Sequence, residues 1–461
     1  MAGPLRVAVV GSGPSGIYTA QALVERQGPP QAAVDVLDRL PCPYGLVRYG
    51  VAPDHGKIKS LQDTLRRVLE HPRVRFVGNV PVGRDGERGS VGTGELLGLY
   101  HAVVYCVGAP ADRRLGIPGE DLPGSFSATD FVSWYSAHPD AAALRFALGV
   151  RSAVVIGVGN VAVDVARFLA HGADELRGTD VPQAALEALG AGTVSEVHVV
   201  GRRGPSRAKF TTKELRELDT LPDAEVVVRR DELALDPAYG DPGALPAVAR
   251  RNAAVLDGWA RRAPLGRARR VRLRFFLRPV AVLGGPEGAV RAVRFERTAP
   301  DGRGGVVGTG RHEEIPAELV LRSVGYRGVP LPGLPFDHRA GTVPHAAGRV
   351  LRDGAPSPGE YVAGWIKRGP TGVIGTNRPC AKETVRSLLA DAGALLGREV
   401  SAADPLEALR ELLRPSGREP VGWHGWLGIE AAEEELGRRL YRDRVKIPDW
   451  EGLLAAARRA G

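Results

Sequence analysis

Cysteine is scarce: Cys42, Cys106 and Cys380 are the 3 in a chain of 461 residues. No two of them form a Cys-x-x-Cys pair. That excludes a disulfide scaffold, a zinc ribbon and a dithiol redox centre built from sequence neighbours, and no metal centre is expected. No apolar run is long enough to span a bilayer, and "MAGPLRVAVVG" enters a strand at once where a signal peptide would stand. A cytoplasmic protein without membrane insertion is the expectation. The net charge of +9 would suit nucleic acid, yet no helix-turn-helix, RNP or zinc-finger pattern accompanies it. No nucleic-acid partner is expected, and the charge reads as general solubility or as attraction for an acidic partner. The Walker phosphate loop is missing too, although "GWIKRGPTGVIGTN", Gly364 to Asn377, has its glycine-rich look.

What is present begins at the N-terminus. Leu5 to Val10 is an apolar run suited to a buried parallel strand, and Gly11, Gly13 and Gly16 follow as Gly-x-Gly-x-x-Gly before a helix pattern. Gly11 permits the tight turn, Gly13 leaves room for a pyrophosphate, and Gly16 lets helix and strand approach. The phosphates would lie on the helix N-terminus, where free N–H groups favour anions. The next strand pattern, "AVDVLD", ends in Asp38, about 20 residues on, where a carboxylate can accept ribose hydroxyls.

The same grammar recurs. A strand over Ala153–Ile156 runs into Gly157, Gly159 and Ala162, and a helix pattern follows. One chain with two such turns suggests a flavin dinucleotide together with a nicotinamide dinucleotide. The strand Val197–Val200 ends in Gly201, Arg202 and Arg203 with no acid. Arginines there suit a 2′-phosphate through charge-assisted bonds, which favours NADP(H) over NAD(H). The distance from Ala162 to Arg202 exceeds a simple βαβ unit, so "HGADELRGTDVPQAALEALGAG" should insert a helix and loop.

Five stretches carry a wider resemblance: "PCPYGLVRYGVAPDHGKIK", "IGVGNVAVDVAR", "GRRGPSRAKFTTKELREL", "SVGYRG" and "GWIKRGPTGVIGTN". In this order, over nearly the whole chain, the sequence resembles the adrenodoxin-reductase-like ferredoxin–NADP⁺ reductases. The resemblance implies an α/β fold with two Rossmann-like dinucleotide-binding domains. The FAD domain would be discontinuous, 1–108 and 330–461, with an NADP domain, 109–329, inserted in it. It also implies hydride transfer from NADPH to FAD, then single electrons passed to an acidic iron–sulfur ferredoxin. Ser15, Asp38, Leu46 and Val82 match FAD-contacting positions, and Trp365, Gly372, Val373 and Ile374 match those that wrap the flavin ring. Val158, Gly159, Asn160 and Val161 match the NADP pyrophosphate turn. Arg202, Arg203 and Glu214 match contacts to the adenosine phosphate and the nicotinamide side. Asp38 departs from the pattern, since family members often carry the longer Glu there.

His55 matches a histidine near the flavin, proposed to help with protons. Two readings stand for it, proton transfer or a structural hydrogen bond in the "APDH" turn. Glu214 likewise either contacts the nicotinamide ribose or caps a helix that starts at Thr211 or Thr212. Arg270, Arg272 and Arg274 alternate with Val271, Leu273 and Phe275, so one strand face should be basic and suited to an acidic ferredoxin. The alternative function is a two-dinucleotide monooxygenase or dehydrogenase acting on a small molecule. The amphipathic patterns after Ser401 should pack on the FAD domain. In the glycine-rich loop, Gly372 should be small because flavin and nicotinamide both approach it.

Overall fold

The structure is a computed structural model that describes residues 3–459 apart from 27, 240 and 402. The chain divides into two compact units. One comprises Met1–Val51, His55–Ala111 and Tyr326–Gly461, the other Ala52–Asp54 and Asp112–Gly325.

The first unit is built on a seven-stranded sheet in the order His345–Ala346, Arg349–Arg352, Ala355–Val362, Ala102–Tyr105, Leu5–Val10, Ala32–Leu37, Val74–Val77. Its last five strands pair in parallel, and the first two add an antiparallel edge. Successive side chains of a strand point to opposite faces. Val7 and Val9 enter one apolar cluster with Ile17 and Leu388, whereas Ala8 and Val10 enter another with Leu96 and Ile366. Both faces are covered, which is why these strands read as unbroken apolar runs rather than as alternation. The C-terminal helices Trp423–Arg439 and Trp450–Arg459 pack on each other and bury Trp426, Ile429, Leu453 and Ala456 in the first cluster.

The second unit has a six-stranded parallel sheet, ordered Ala224–Val228, Arg269–Arg274, Glu196–Val200, Ser152–Ile156, Leu319–Arg322, Ser125–Ser127. Between its first two βαβ strands lie the short helices Ala173–Leu176 and Gln183–Gly190, the insertion that the long spacing required. A three-stranded antiparallel sheet, Leu277–Gly284, Val290–Pro300 and Val306–Pro316, is an addition that the sequence patterns do not announce.

Candidate functional site

Each unit presents a strand–glycine–helix turn at the carboxyl end of its central strands. In the first, Gly11 has a φ of 109°, and a Cβ there would lie 2.5 Å from the Cys106 carbonyl oxygen. A Cβ on Gly16 would lie 1.8 Å from the Gly11 oxygen. Gly13 differs, because a Cβ there would meet nothing nearer than the Gly45 Cα at 3.9 Å. Two glycines therefore close the turn and the middle one faces open space. Gly13 caps the helix Pro14–Val24 without a side-chain hydrogen bond, leaving the helix's first N–H groups to a ligand.

Three segments converge on this turn. The Tyr44 N–H donates to the Ser12 carbonyl at 3.0 Å, and Gly45 stands against Gly13, which brings Leu46 to the turn. The Val80 N–H donates to the Asp38 carbonyl at 2.8 Å, which brings the Val82 segment to the strand end. Ser15 is buried at the helix start, and a Cβ on Gly364 would lie 2.4 Å from its Oγ, so the glycine-rich loop begins at the same place. Asp38 is more occupied than its sequence position suggests. Its Oδ2 accepts the Ser12 N–H at 2.8 Å and the Ser12 hydroxyl at 2.5 Å, and its Oδ1 accepts the Leu40 N–H at 2.9 Å.

The loop is braced at both ends. Lys367, which is buried, donates to Glu383 and to Thr384, each at 3.0 Å, and the Thr384 hydroxyl donates to the Val362 carbonyl. Arg368 donates to Asn377 Oδ1 at 3.1 Å, and Asn377 Nδ2 donates to the Ile374 carbonyl at 3.0 Å. None of these five side chains carried a sequence signal of its own. Gly372 has a reason of its own to be glycine. Its φ is 82°, and a Cβ would lie 2.6 Å from Thr376 Oγ1, so the loop demands glycine before any cofactor is considered. Behind the loop, helix Asn377–Ala390 buries Ala381, Val385 and Leu388, with Leu389 partly buried, and the next helix, Ala392–Leu396, buries Ala392.

The second unit repeats the turn. Gly157 has a φ of 141°, and a Cβ there would lie 2.1 Å from the Ser323 oxygen. Gly159 faces open space and caps the helix Asn160–Ala170, again without a side-chain bond. Ala162 is fully buried, and Val161 packs at the edge of the core. Val158 lies beneath Gly201, where a Cβ would come within 2.9 Å of its Cγ1. Arg202 and Arg203 extend from this loop into solvent and make no ion pair among the described residues. Their backbone is fixed, since Arg202 O accepts the Thr298 hydroxyl at 2.8 Å. The Asn160 side chain is already engaged: its Oδ1 accepts the Thr211 N–H at 2.8 Å, tying the glycine turn to the next helix. Thr211 is the side-chain cap of that helix, Thr212–Glu217, and accepts the Glu214 N–H.

Glu214 is buried beside Arg167, which the sequence reading passed over. The Arg167 guanidinium is bidentate to Asp54 at 2.6 and 3.0 Å and reaches Asp164 at 3.1 Å, Glu217 at 3.3 Å and Glu214 at 3.9 Å. Bonds from His171 and Arg167 hold the Asp54 carboxyl well below the usual carboxylate range, against the opposing effect of burial. His55, the next residue, is buried and starts the short helix Gly56–Lys59.

The basic strand face is corrected. Arg270 pairs with Glu196 and Glu225, Arg272 with Glu196, and Arg274 with Glu232 and Glu313. Val271, Leu273 and Phe275 do fill the core. Arg250 and Arg251, on helix Ala247–Arg261, are exposed and make no ion pair among the described residues, and that helix packs against helix Thr212–Glu217.

The first turn fits a flavin dinucleotide on its own terms. Trp365 Nε1 is buried with no hydrogen-bond partner among the described residues, and an indole N–H normally has one. Its ring lies 5.4 Å from that of Tyr326. Leu46 and Val373 are 42% and 60% exposed, unusual for large apolar side chains beside a buried turn, and an aromatic ring would cover them.

Two such turns, one with a carboxylate at its strand end and one with arginines, define an oxidoreductase of the two-dinucleotide class. Residues 5–218 match the family model described as pyridine nucleotide-disulphide oxidoreductase. The NADPH-ferredoxin reductase FprA of Mycobacterium tuberculosis is 45% identical over 98% of both chains. The mitochondrial NADPH:adrenodoxin oxidoreductase of Arabidopsis thaliana is 40% identical over 98% of this chain and 95% of its own. A solved structure of M. tuberculosis FprA in complex with NADPH matches with a TM-score of 0.90, covering 98% of this chain and 99% of that one. The chain belongs to the adrenodoxin-reductase-like NADPH–ferredoxin reductases.

Proposed function

We propose that this protein is an FAD-dependent NADPH–ferredoxin reductase, with an iron–sulfur ferredoxin as its partner. The observation that carries the reading is the pair of glycine turns with opposite charge at their second strand, Asp38 in one unit and Arg202 with Arg203 in the other. Bound flavin would supply the chemistry, accepting a hydride from NADPH and releasing its electrons singly. The protein's contribution is position and electrostatics.

In this reading the FAD domain is 1–108 and 330–461, and the NADP domain is 109–329. Gly11, Gly13, Ser15 and Gly16 hold the FAD pyrophosphate, Asp38 takes a ribose hydroxyl, and Leu46 and Val82 line the adenosine and ring ends. Trp365, Gly372, Val373 and Ile374 enclose the ring. Val158, Gly159 and Val161 hold the NADP pyrophosphate, with Asn160 bracing the turn, and Arg202 and Arg203 bind the 2′-phosphate. Glu214, fixed by Arg167 and the Thr211 cap, orients the nicotinamide ribose. His55 moves a proton at its imidazole, a role that His55→Gln tests through the pH profile of electron delivery. The ferredoxin docks through the exposed cations Arg216, Arg250 and Arg251, carried on two packed helices. Among the described residues no helix is long and apolar enough to cross a membrane, and a cytoplasmic site of action is part of the proposal.

The deciding experiment is an absorbance spectrum of the purified protein, followed by reductant titration. A yellow protein bleached by NADPH, and far less readily by NADH, supports both cofactors. A colourless protein that takes up no FAD, or equal bleaching by both nucleotides, sinks the corresponding half of the assignment.

A further inference from the structure

Ser12 stands inside the first glycine turn, at a position that the dinucleotide pattern leaves open to any residue. It is fully buried, whereas Asp38, 26 residues on, is partly exposed at the strand end. Both of the Ser12 bonds go to Asp38 Oδ2, and Leu40 takes one position on Oδ1. A carboxylate offers about four lone-pair sites. Three are filled by the protein, and the one left over belongs to Oδ1. Burial pushes the Asp38 carboxyl up, and the Ser12 hydroxyl is foremost among the bonds that pull it back.

We infer that Ser12 is a positioning residue for the adenosine end of FAD. It pins Oδ2 of the short Asp38 side chain, so that Oδ1 alone meets a ribose hydroxyl. Ser12 cannot touch the nucleotide itself, because no part of it reaches the surface. This rests on the reading of the first turn as the FAD site. A glutamate at position 38 is one methylene longer and would reach the ribose without being held, so the need for Ser12 should vanish with D38E.

The test is FAD affinity of the full-length protein after flavin removal and reconstitution, by quenching of flavin fluorescence. S12A should bind FAD about tenfold more weakly than wild type, as expected for the loss of one hydrogen bond to a charged group. In the D38E background the same change should cost less than about twofold. S12G, which also keeps the N–H bond and removes the Cβ together with the hydroxyl, should repeat the result if S12A folds poorly. Equal losses in both backgrounds, or no loss in S12A, would overturn the role of Ser12 while leaving the FAD site in place. Unchanged affinity in D38A would overturn the ribose contact itself, and the role of Ser12 with it.

Discussion

Arg48 and Glu433 lie 385 residues apart and form an ion pair that water does not reach, with Nη2 2.5 Å from Oε1 and side-chain exposures of 1% and 0%. The guanidinium is flanked by the rings of Tyr49 and Trp426, each 5.0 Å away, and Lys446 donates to the Arg48 carbonyl at 2.6 Å. Helix Trp423–Arg439 thus grips the short helix Leu46–Tyr49 that lies against the first glycine turn. Removing one partner leaves a buried charge uncompensated, which costs about 3–5 kcal/mol. E433A should lower stability by that amount in urea unfolding and should weaken FAD retention through Leu46. The paired replacement R48M/E433L should cost clearly less, and an equal cost would show that the charges matter less than the packing.

Gly372→Ala places a side chain at a φ of 82°, against Thr376. The left-handed conformation alone costs an L-residue about 1–2 kcal/mol. The expected outcome is a loss of FAD affinity together with slower flavin reduction. Slower reduction with FAD affinity intact would return the constraint to the bound cofactors.

Docking by charge predicts a split between two assays. R250E/R251E should reduce the ferredoxin-coupled rate roughly tenfold at low ionic strength, and much less at high salt. The ferricyanide diaphorase rate should stay unchanged. An equal fall in both assays would place the damage in the reductase itself.

His198 sits mid-strand beside Arg272 and Arg274, with Glu196 and Glu313 as the opposing charges. Burial, reinforced by Arg272, pushes its imidazole down to about 4. An unfolded histidine titrates near about 6.5, so below that pH the unfolded chain binds a proton that the native state refuses. The contribution is complete above about pH 6.5 and is lost as pH falls toward 4, by about 3 kcal/mol at most at 1.36 kcal/mol per unit. Urea midpoints measured at about pH 7.5 and about pH 5 should diverge in the wild type and converge in H198Q. Parallel curves would assign the acid sensitivity to other groups.

Thiol chemistry should be confined to one residue. Burial pushes the Cys42 thiol up to about 11 and the Cys106 thiol to about 12, while Cys380 is partly exposed and its sulfur accepts the Gly364 N–H at 3.3 Å. Iodoacetamide at neutral pH should label Cys380 and neither of the others, read by mass spectrometry. C42A/C106A should keep its flavin reduction rate within about twofold, since no dithiol takes part. Loss of reduction in that variant would contradict single-electron delivery straight from the flavin.

The two glycine turns were legible because their chemistry is local. Gly16 is needed by a backbone contact within its own turn, Gly11 and Gly157 by their positive φ and the neighbouring strand end, and Gly13 and Gly159 by the space they leave. Arg202 and Arg203 were legible as charge at a strand end. What failed was reading which charged side chains stand free, because their partners come from elsewhere in the chain. Arg270, Arg272 and Arg274 looked like a free basic face, but Glu196, Glu225, Glu232 and Glu313 come from four other elements. Asp38 looked free for ribose, and Ser12 holds half of it. Arg167 is one arginine in a helix pattern until Asp54, Glu214 and Glu217 gather round it. The three-stranded sheet escaped because Val306–Pro316 is mostly solvent-exposed and gives no apolar alternation.

The strand Ala355–Val362 lies between Ala102–Tyr105 and the antiparallel edge, in the middle of the first unit's sheet. This sets an order of events on the ribosome. The N-terminal strands emerge first but have an unpaired neighbour position until residue 362 has left the exit tunnel. The second unit, by contrast, holds every strand of its own sheet between Ser125 and Arg322 and can complete it earlier. The turn at Gly11 is therefore among the first segments made and among the last to acquire its finished surroundings, and a chain stopped before Val362 would carry a folded second unit and an open-edged, aggregation-prone first one.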